Sequence, residues 1–357
     1  MVDLPLGLRH ALEGGNCVLF VGAGVGGHLR RTDNTTAPDG FELAKEMAAH
    51  FGIDSDGHYD LAQISQVVEL RKGRKDLDTY VRTKLSELEP DDTFQWLFSR
   101  RWKAIYTTNY DHSIERSYEL NANPCQTPVT LSVTQDVVPV EPRFQVPVIH
   151  LHGVLFGTEA PRIVITENDY LRFRERRKML FELLKLHAAT STFLYIGYSN
   201  RDPNWKLVLD ELTDEFRLSQ MPHSYRLAPT TPVLEAELLK SKAIDTITGD
   251  LTDFVQAASA VLATDAVDND SLTRAQKLVP SELSHAFDAN APATMRLLSS
   301  WTYVNQAPFS ERPNLRAFLR GDRPNWALIA ARDFFIRSVE EPLYNDALDF
   351  ATSSNAK

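Results

Sequence analysis

The chain has 357 residues, 43% hydrophobic and 10% aromatic, and a formal net charge of −10. That length suits one large domain with an appendage, or two domains with a sizeable core, and the acidic balance argues against a dedicated nucleic-acid or anionic-membrane surface. With only Cys17 and Cys125, neither a disulfide framework nor a four-cysteine zinc site is expected. The N-terminus lacks a long apolar stretch of the signal-peptide kind and no segment approaches membrane-span length, so cytoplasmic residence is expected, with no membrane contact and no direct nucleic-acid binding.

Short apolar runs mark candidate strands at Cys17–Val21, Ala104–Thr107, Val146–Leu151, Ile163–Ile165, Phe193–Ile196, Tyr225–Ala228 and Ala243–Ile247. Helical periodicity lies between several of them, at Leu61–Leu70, Asp76–Leu88 and Arg177–Ala188. Strands alternating with helices predict an α/β fold built on a mostly parallel, doubly wound sheet with helices on both faces. Residues 58–101 read as a helical module inserted beside that sheet. Residues 264–271 are polar and read as a linker. The domain division expected is 1–264, carrying the sheet, and 272–357, a helical C-terminal region with Trp301, Trp326, Phe334, Phe335 and Tyr344 as core or docking residues. The basic run Arg172–Lys178 reads as a solvated helix face interrupted by Glu175.

Doubly wound sheets bind ligands at the carboxyl ends of their strands, and four such ends stand out. At the first, Val18–Val21 runs into Gly22-Ala23-Gly24-Val25-Gly26-Gly27. Small residues there let backbone amides approach a phosphate, which makes a dinucleotide the first ligand to consider. Residues 28–40 are turn-rich and read as a loop over a pocket. At the second, Thr107-Thr108-Asn109-Tyr110-Asp111 supplies more polar side chains than a helix cap needs, with hydroxyl and amide groups suited to sugar hydroxyls. The third is His150-Leu151-His152-Gly153. Strand alternation places both imidazoles on one face, and His152, at the end, suits general-base work. Two histidines two apart also have metal-ligand spacing, although the sequence offers no obvious third ligand. The fourth is Gly197-Tyr198-Ser199-Asn200-Arg201-Asp202-Pro203, in which Asp202 and Pro203 read as the cap and first position of a helix.

Gly22-Ala23-Gly24-Val25, Thr108-Asn109-Tyr110-Asp111, His152-Gly153 and Gly197-Tyr198-Ser199-Asn200-Arg201-Asp202, in this order, resemble the sirtuin-like NAD-consuming family, in the form of its bacterial anti-phage branch. The resemblance implies a Rossmann-like domain that binds NAD as substrate and attacks the ribose carbon bearing nicotinamide. By the same resemblance, His152 is the general base, Asn109 orients the ribose and a water, and Asp111 supports them. Gly22, Ala23 and Gly24 hold the pyrophosphate and Gly197 and Ser199 line the adenosine side, with Val25, Thr107, Thr108 and Asp202 as further cofactor-binding candidates. The chain departs from the family in lacking the cysteines of a zinc ribbon and in carrying Gly26 where a serine is usual. The resemblance further implies NAD depletion in abortive infection, held in check by homo-oligomerisation or by a partner such as a HerA-like ATPase or an Argonaute-type protein. NAD-dependent protein deacylation, and NAD or ADP-ribose sensing without catalysis, are the rival readings.

Overall fold

The computed structural model describes residues 2–31, 33–122, 124–133, 140, 144–156, 163–198, 209–211 and 221–262. Ser199, Asp202, the linker at 264–271 and the C-terminal region 272–357 lie outside them. The chain opens with helix α1 (Leu6–Glu13) and strand β1 (Cys17–Val21), followed by a 3-10 stretch (Ala23–His28) and the short strand β2 (Leu29–Arg30). Helices α2 (Gly40–Phe51), α3 (Leu61–Lys72) and α4 (Arg74–Leu85) come next, then β3 (Glu89–Pro90), α5 (Asp92–Leu97), β4 (Ala104–Thr107) and α6 (Ser113–Leu120). Strands β5 (Thr127–Leu131) and β6 (Gln145–His150) precede α7 (Glu167–Arg176), α8 (Lys178–Thr190) and β7 (Thr192–Ile196). The described elements close with β8 (Ser224–Ala228), α9 (Val233–Lys240), β9 (Ile244–Thr248) and α10 (Leu251–Val261).

Seven strands form one parallel sheet in the order β5-β6-β4-β1-β7-β8-β9. The chain builds leftward from β1 through β6 and returns to β1's other side at β7. The strand order therefore reverses beside β1, and a ligand crevice is expected outside the carboxyl ends there. Alternation along β1 divides the core in two. Cys17, Leu19 and Val21 face α1, α5, α6 and α10, whereas Val18 and Phe20 face α7, α8 and α9. Both faces are covered, which explains why the central strands read as unbroken apolar runs.

A third core joins Leu43, Met47, Val68, Leu77 and Val81 of α2–α4 to Tyr110, Leu155, Ile163 and Ile165. The segment 58–101 thus divides: α3 and α4 belong to this third core with α2, and α5 packs its Phe94 and Leu97 into the first.

Two expectations need correction. Ile163–Ile165 is no strand; its residues are buried, but its backbone bonds run to loops, from Val164 N–H to the His152 carbonyl (2.8 Å) and from the Tyr110 hydroxyl to the Val164 carbonyl (2.8 Å). Conversely, β5 escaped the sequence reading because Thr-Pro-Val-Thr-Leu is a poor central-strand pattern. It is an edge strand paired with β6 alone, where proline's missing donor is tolerated.

Candidate active site

The carboxyl ends of β1, β4, β6 and β7 meet the third core around a cavity of about 940 Å³, lined by Ala23, Gly24, Thr108, Asn109, Asp111, His152 and Gly197 among others. This volume lies in the range of small-molecule sites. The distant stretches singled out in the sequence therefore share one space. The opposite wall comes from Ala37–Phe41, Asp60–Ala62, Glu167, Tyr170 and Leu171. As expected, part of the turn-rich stretch 28–40 borders the pocket.

The ends of β1 and β7 are packed backbone to backbone. Gly22 N–H donates to the Ile196 carbonyl (2.9 Å), and Gly24 N–H to the Gly197 carbonyl (2.8 Å). A Cβ on Gly22 would lie 2.5 Å from the Gly197 oxygen, and one on Gly24 2.9 Å from the same atom. Part of the glycine pattern is thus explained by the contact of two loops. The Gly22 and Gly24 amides already have acceptors. Val25 is a buried core residue whose amide donates to the Gly22 carbonyl (3.3 Å). A second cavity of about 290 Å³ lies beyond this contact, at the ends of β7, β8 and β9. Gly24 and Gly197 border both spaces.

Asn109 is set by its backbone. Its N–H donates to the Thr107 hydroxyl (3.0 Å) and its carbonyl accepts from His150 Nδ1 (3.2 Å). The carboxamide Oδ1 is buried and has no hydrogen-bond partner among the described residues. Such an atom costs free energy unless something donates to it. Thr107 is fully buried and its hydroxyl serves this turn; it does not line the cavity. Asp111 does line it, but its Oδ1 accepts from the Ser113 backbone amide (2.9 Å) and closely from the Ser113 hydroxyl, holding the start of α6.

The two histidines do not act alike. Only His152 lines the large cavity; its ring stands edge-on to Tyr170 at 5.3 Å and to Phe173 at 5.1 Å. His150 is completely buried, with Nε2 3.0 Å from Glu115 Oε1. The expectation of one shared face fails because β6 ends at His150. Residues 151 and 152 already belong to the turn that Gly153 completes at φ +86°. Among the described residues, no group of three or more His, Cys, Asp or Glu is placed to hold a metal ion.

The basic run Arg172–Lys178 is not simply a solvated face. Arg177 is buried at the junction of α7 and α8, and its Nη1 reaches the carbonyls of Ser132 (2.6 Å), His150 (3.0 Å) and Leu151 (2.9 Å). It braces the segment that carries His152.

Sequence reasoning missed the far wall. Asp39, Asp60 and Thr166 cap α2, α3 and α7, accepting from the amides of Glu42 (2.8 Å), Gln63 (2.9 Å) and Asp169 (3.2 Å). Cap residues before apolar periodicity announce helix starts, but they carry no sign that three such starts, with Glu167, Tyr170 and Leu171, will border one cavity. Among the described residues, no helix is long and apolar enough to cross a membrane.

Residues 103–247, from just before β4 to near the end of β9, match the family model described as SIR2-like domain. The chain is 31% identical over 222 residues to the NAD(+) hydrolase ThsA of Enterococcus faecium, covering 60% of this chain and 43% of that protein. It is 28% identical over 209 residues to NAD(+) hydrolase ThsA of Cytobacillus dafuensis, covering 57% and 39%. The chain thus spans about two-fifths of the length of these curated relatives. With its doubly wound parallel sheet and the match across β4 to β9, residues 103–247 of the chain are similar to the SIR2-like domain family.

Proposed function

We propose that the chain is an NAD hydrolase that cleaves the N-glycosidic bond between ribose and nicotinamide and acts in anti-phage defence. The observation that carries this reading is the convergence of Asn109 and His152 on one cavity bordered by Gly24 and Gly197. In this reading the nicotinamide riboside half occupies the larger cavity, and the adenosine half extends toward the smaller one across the Gly24–Gly197 contact. In this reading the diphosphate lies against Ala23 and Gly24, which border the larger cavity. The Asn109 Oδ1 accepts from a ribose hydroxyl, which removes the penalty of its unpaired state. Among the described residues, the walls include Asp39, Asp60, Asp111 and Glu167, carboxylates that favour the cationic pyridinium of the oxidised dinucleotide.

The reaction needs little beyond positioning and one base. A water oxygen bonds to the ribose C1′ as the bond from C1′ to the ring nitrogen breaks. That bond's electron pair returns to the ring, so nicotinamide leaves neutral, and His152 takes the proton from water. The names of the relatives, NAD(+) hydrolase ThsA, support the activity, and the sequence resemblance supports the defence role. Control of the activity we place in residues 272–357, through self-association or a partner protein.

The test is nicotinamide release from NAD with no acyl peptide present, using the purified chain and cells expressing it during phage infection. His152→Ala should slow release by on the order of 10²–10⁴-fold. Asn109→Ala should cripple turnover while NAD still binds. Peptide-dependent release would point instead to a deacylase. Binding without release in both settings would point to a sensor and overturn the hydrolase reading.

A further inference from the structure

We propose that the buried pair Glu115–His150 is a positioning device for Asn109: Glu115 holds the His150 ring, and the ring holds the Asn109 main-chain carbonyl, fixing where the carboxamide stands in the cavity. The inference rests on the reading of Asn109 as a substrate-site residue.

The geometry is specific. His150 is 0% exposed and does not border the cavity. Its two ring nitrogens face two acceptors, the Asn109 carbonyl at 3.2 Å and Glu115 Oε1 at 3.0 Å. A neutral imidazole has one N–H and can satisfy only one of them; the imidazolium satisfies both. Glu115 is held in turn, since the Thr130 hydroxyl on β5 donates to the same Oε1 at 2.7 Å. It also lies in the first turn of α6, where the helix dipole favours a carboxylate. The chain of contacts therefore runs from β5 through α6 and β6 to the β4–α6 turn, and it ends on the residue beside the substrate.

The charges around the ring agree with a cationic His150. Burial alone would lower its pKa, but the Glu115 carboxylate, its hydrogen bond, the Asn109 carbonyl and the charge of Asp111 outweigh burial and raise it. Burial likewise pushes Glu115 up, and His150 more than reverses this, so its carboxyl titrates below the ordinary range. Arg177, from the α7–α8 junction, donates to the His150 carbonyl at 3.0 Å and is the positive group nearby that opposes the imidazolium. Removing the pair takes from the Asn109 carbonyl its side-chain donor among the described residues, and the carboxamide moves with its backbone.

The test uses the full chain labelled with ¹⁵N at histidine and asparagine. In the parent protein His150 should keep the imidazolium signature at pH 7, above the midpoint of an ordinary histidine. In Glu115→Gln it should become neutral, and the Asn109 side-chain amide resonances should shift. With NAD, Glu115→Gln should lower kcat by on the order of tenfold to a hundredfold, the scale of a misplaced reacting group, with KM changed less than threefold. Its activity should also lose the alkaline limb set by His150, and Glu115→Asp should restore part of the rate. A neutral His150 in the parent protein at pH 7 would overturn the proposal without any variant needing to fold. So would unchanged Asn109 resonances, or unchanged kcat and pH profile, in a folded Glu115→Gln. Failure of the hydrolase reading looks different: the parent and Asn109→Ala would then release nicotinamide equally poorly, while the histidine and asparagine resonances still judge the pair.

Discussion

Replacing Gly197 by alanine probes the contact on which the shape of the cavity depends. Gly197 stands at φ +63°, and a Cβ there would lie 2.6 Å from the Val25 nitrogen, 2.8 Å from Val25 Cγ1 and 2.9 Å from the Gly22 oxygen. Two penalties follow. A left-handed backbone with a side chain costs about 1–2 kcal/mol, and forcing a methyl into a filled space costs about 1–3 kcal/mol more. Backbone atoms of β1's loop cannot rotate away as a side-chain end could, so the full range applies. For a domain of this size each kcal/mol lowers Tm by roughly 2–4 °C, so Gly197→Ala should melt roughly 4–20 °C below the parent. Gly27→Ala is the matched control, because a Cβ there meets nothing within 4 Å. It belongs to the same glycine cluster and should melt as the parent does. Thermal unfolding of the whole chain, followed by far-ultraviolet circular dichroism, measures both. The reasoning fails if Gly197→Ala melts within about 2 °C of the parent, or if Gly27→Ala is as damaging. Nicotinamide release at a temperature where both variants are folded then asks whether moving the loop also harms the site.

Other outcomes follow from single contacts. Arg177→Met removes a charged donor shared by the carbonyls of Ser132, His150 and Leu151, although the His150 carbonyl keeps the Gly153 N–H at 3.0 Å. Urea unfolding should show a loss of about 2–4 kcal/mol, and Arg177→Lys should recover only part of it, since an ammonium does not reproduce the guanidinium fork; a midpoint equal to the parent's would dismiss the brace. His187 accepts or donates at 2.8 Å to the Tyr106 hydroxyl, and burial, with the charge of Lys103 adding, pushes it down to about 4. The unfolded imidazole takes a proton near pH 6.5 and the folded one only near 4, so the unfolded state binds more protons between them. Stability should therefore fall as pH drops from about 6.5 to about 4, and His187→Gln should flatten that slope. Parallel slopes for the two proteins, from urea titrations across this window, would refute the assignment.

Much of the fold was readable because each face of the sheet is covered. Cys17–Val21 is apolar at every position and Ala104–Thr107 at all but its last, and their strands run over those residues. β5 and the Ile163–Ile165 segment mislead for opposite reasons. One is a true strand with edge-type composition. The other is apolar because it fills the third core, while its backbone groups bond to loops. The histidines show the limit of periodicity: alternation holds only while a strand continues, and β6 stops at His150.

The sequence alone determined the alternation of apolar runs and helices, and with it a doubly wound sheet whose strand ends carry glycine, asparagine and histidine. These are local properties, written in spacing and composition. What only the tertiary structure decided is who meets whom. It set Gly22 and Gly24 against Gly197, turned His150 away to Glu115 while His152 borders the cavity, and buried Arg177 beneath the His152 segment. The physical reason is that such contacts join residues tens of positions apart, and the free energy that selects them comes from packing and hydrogen bonding between elements. No window of the chain contains that information.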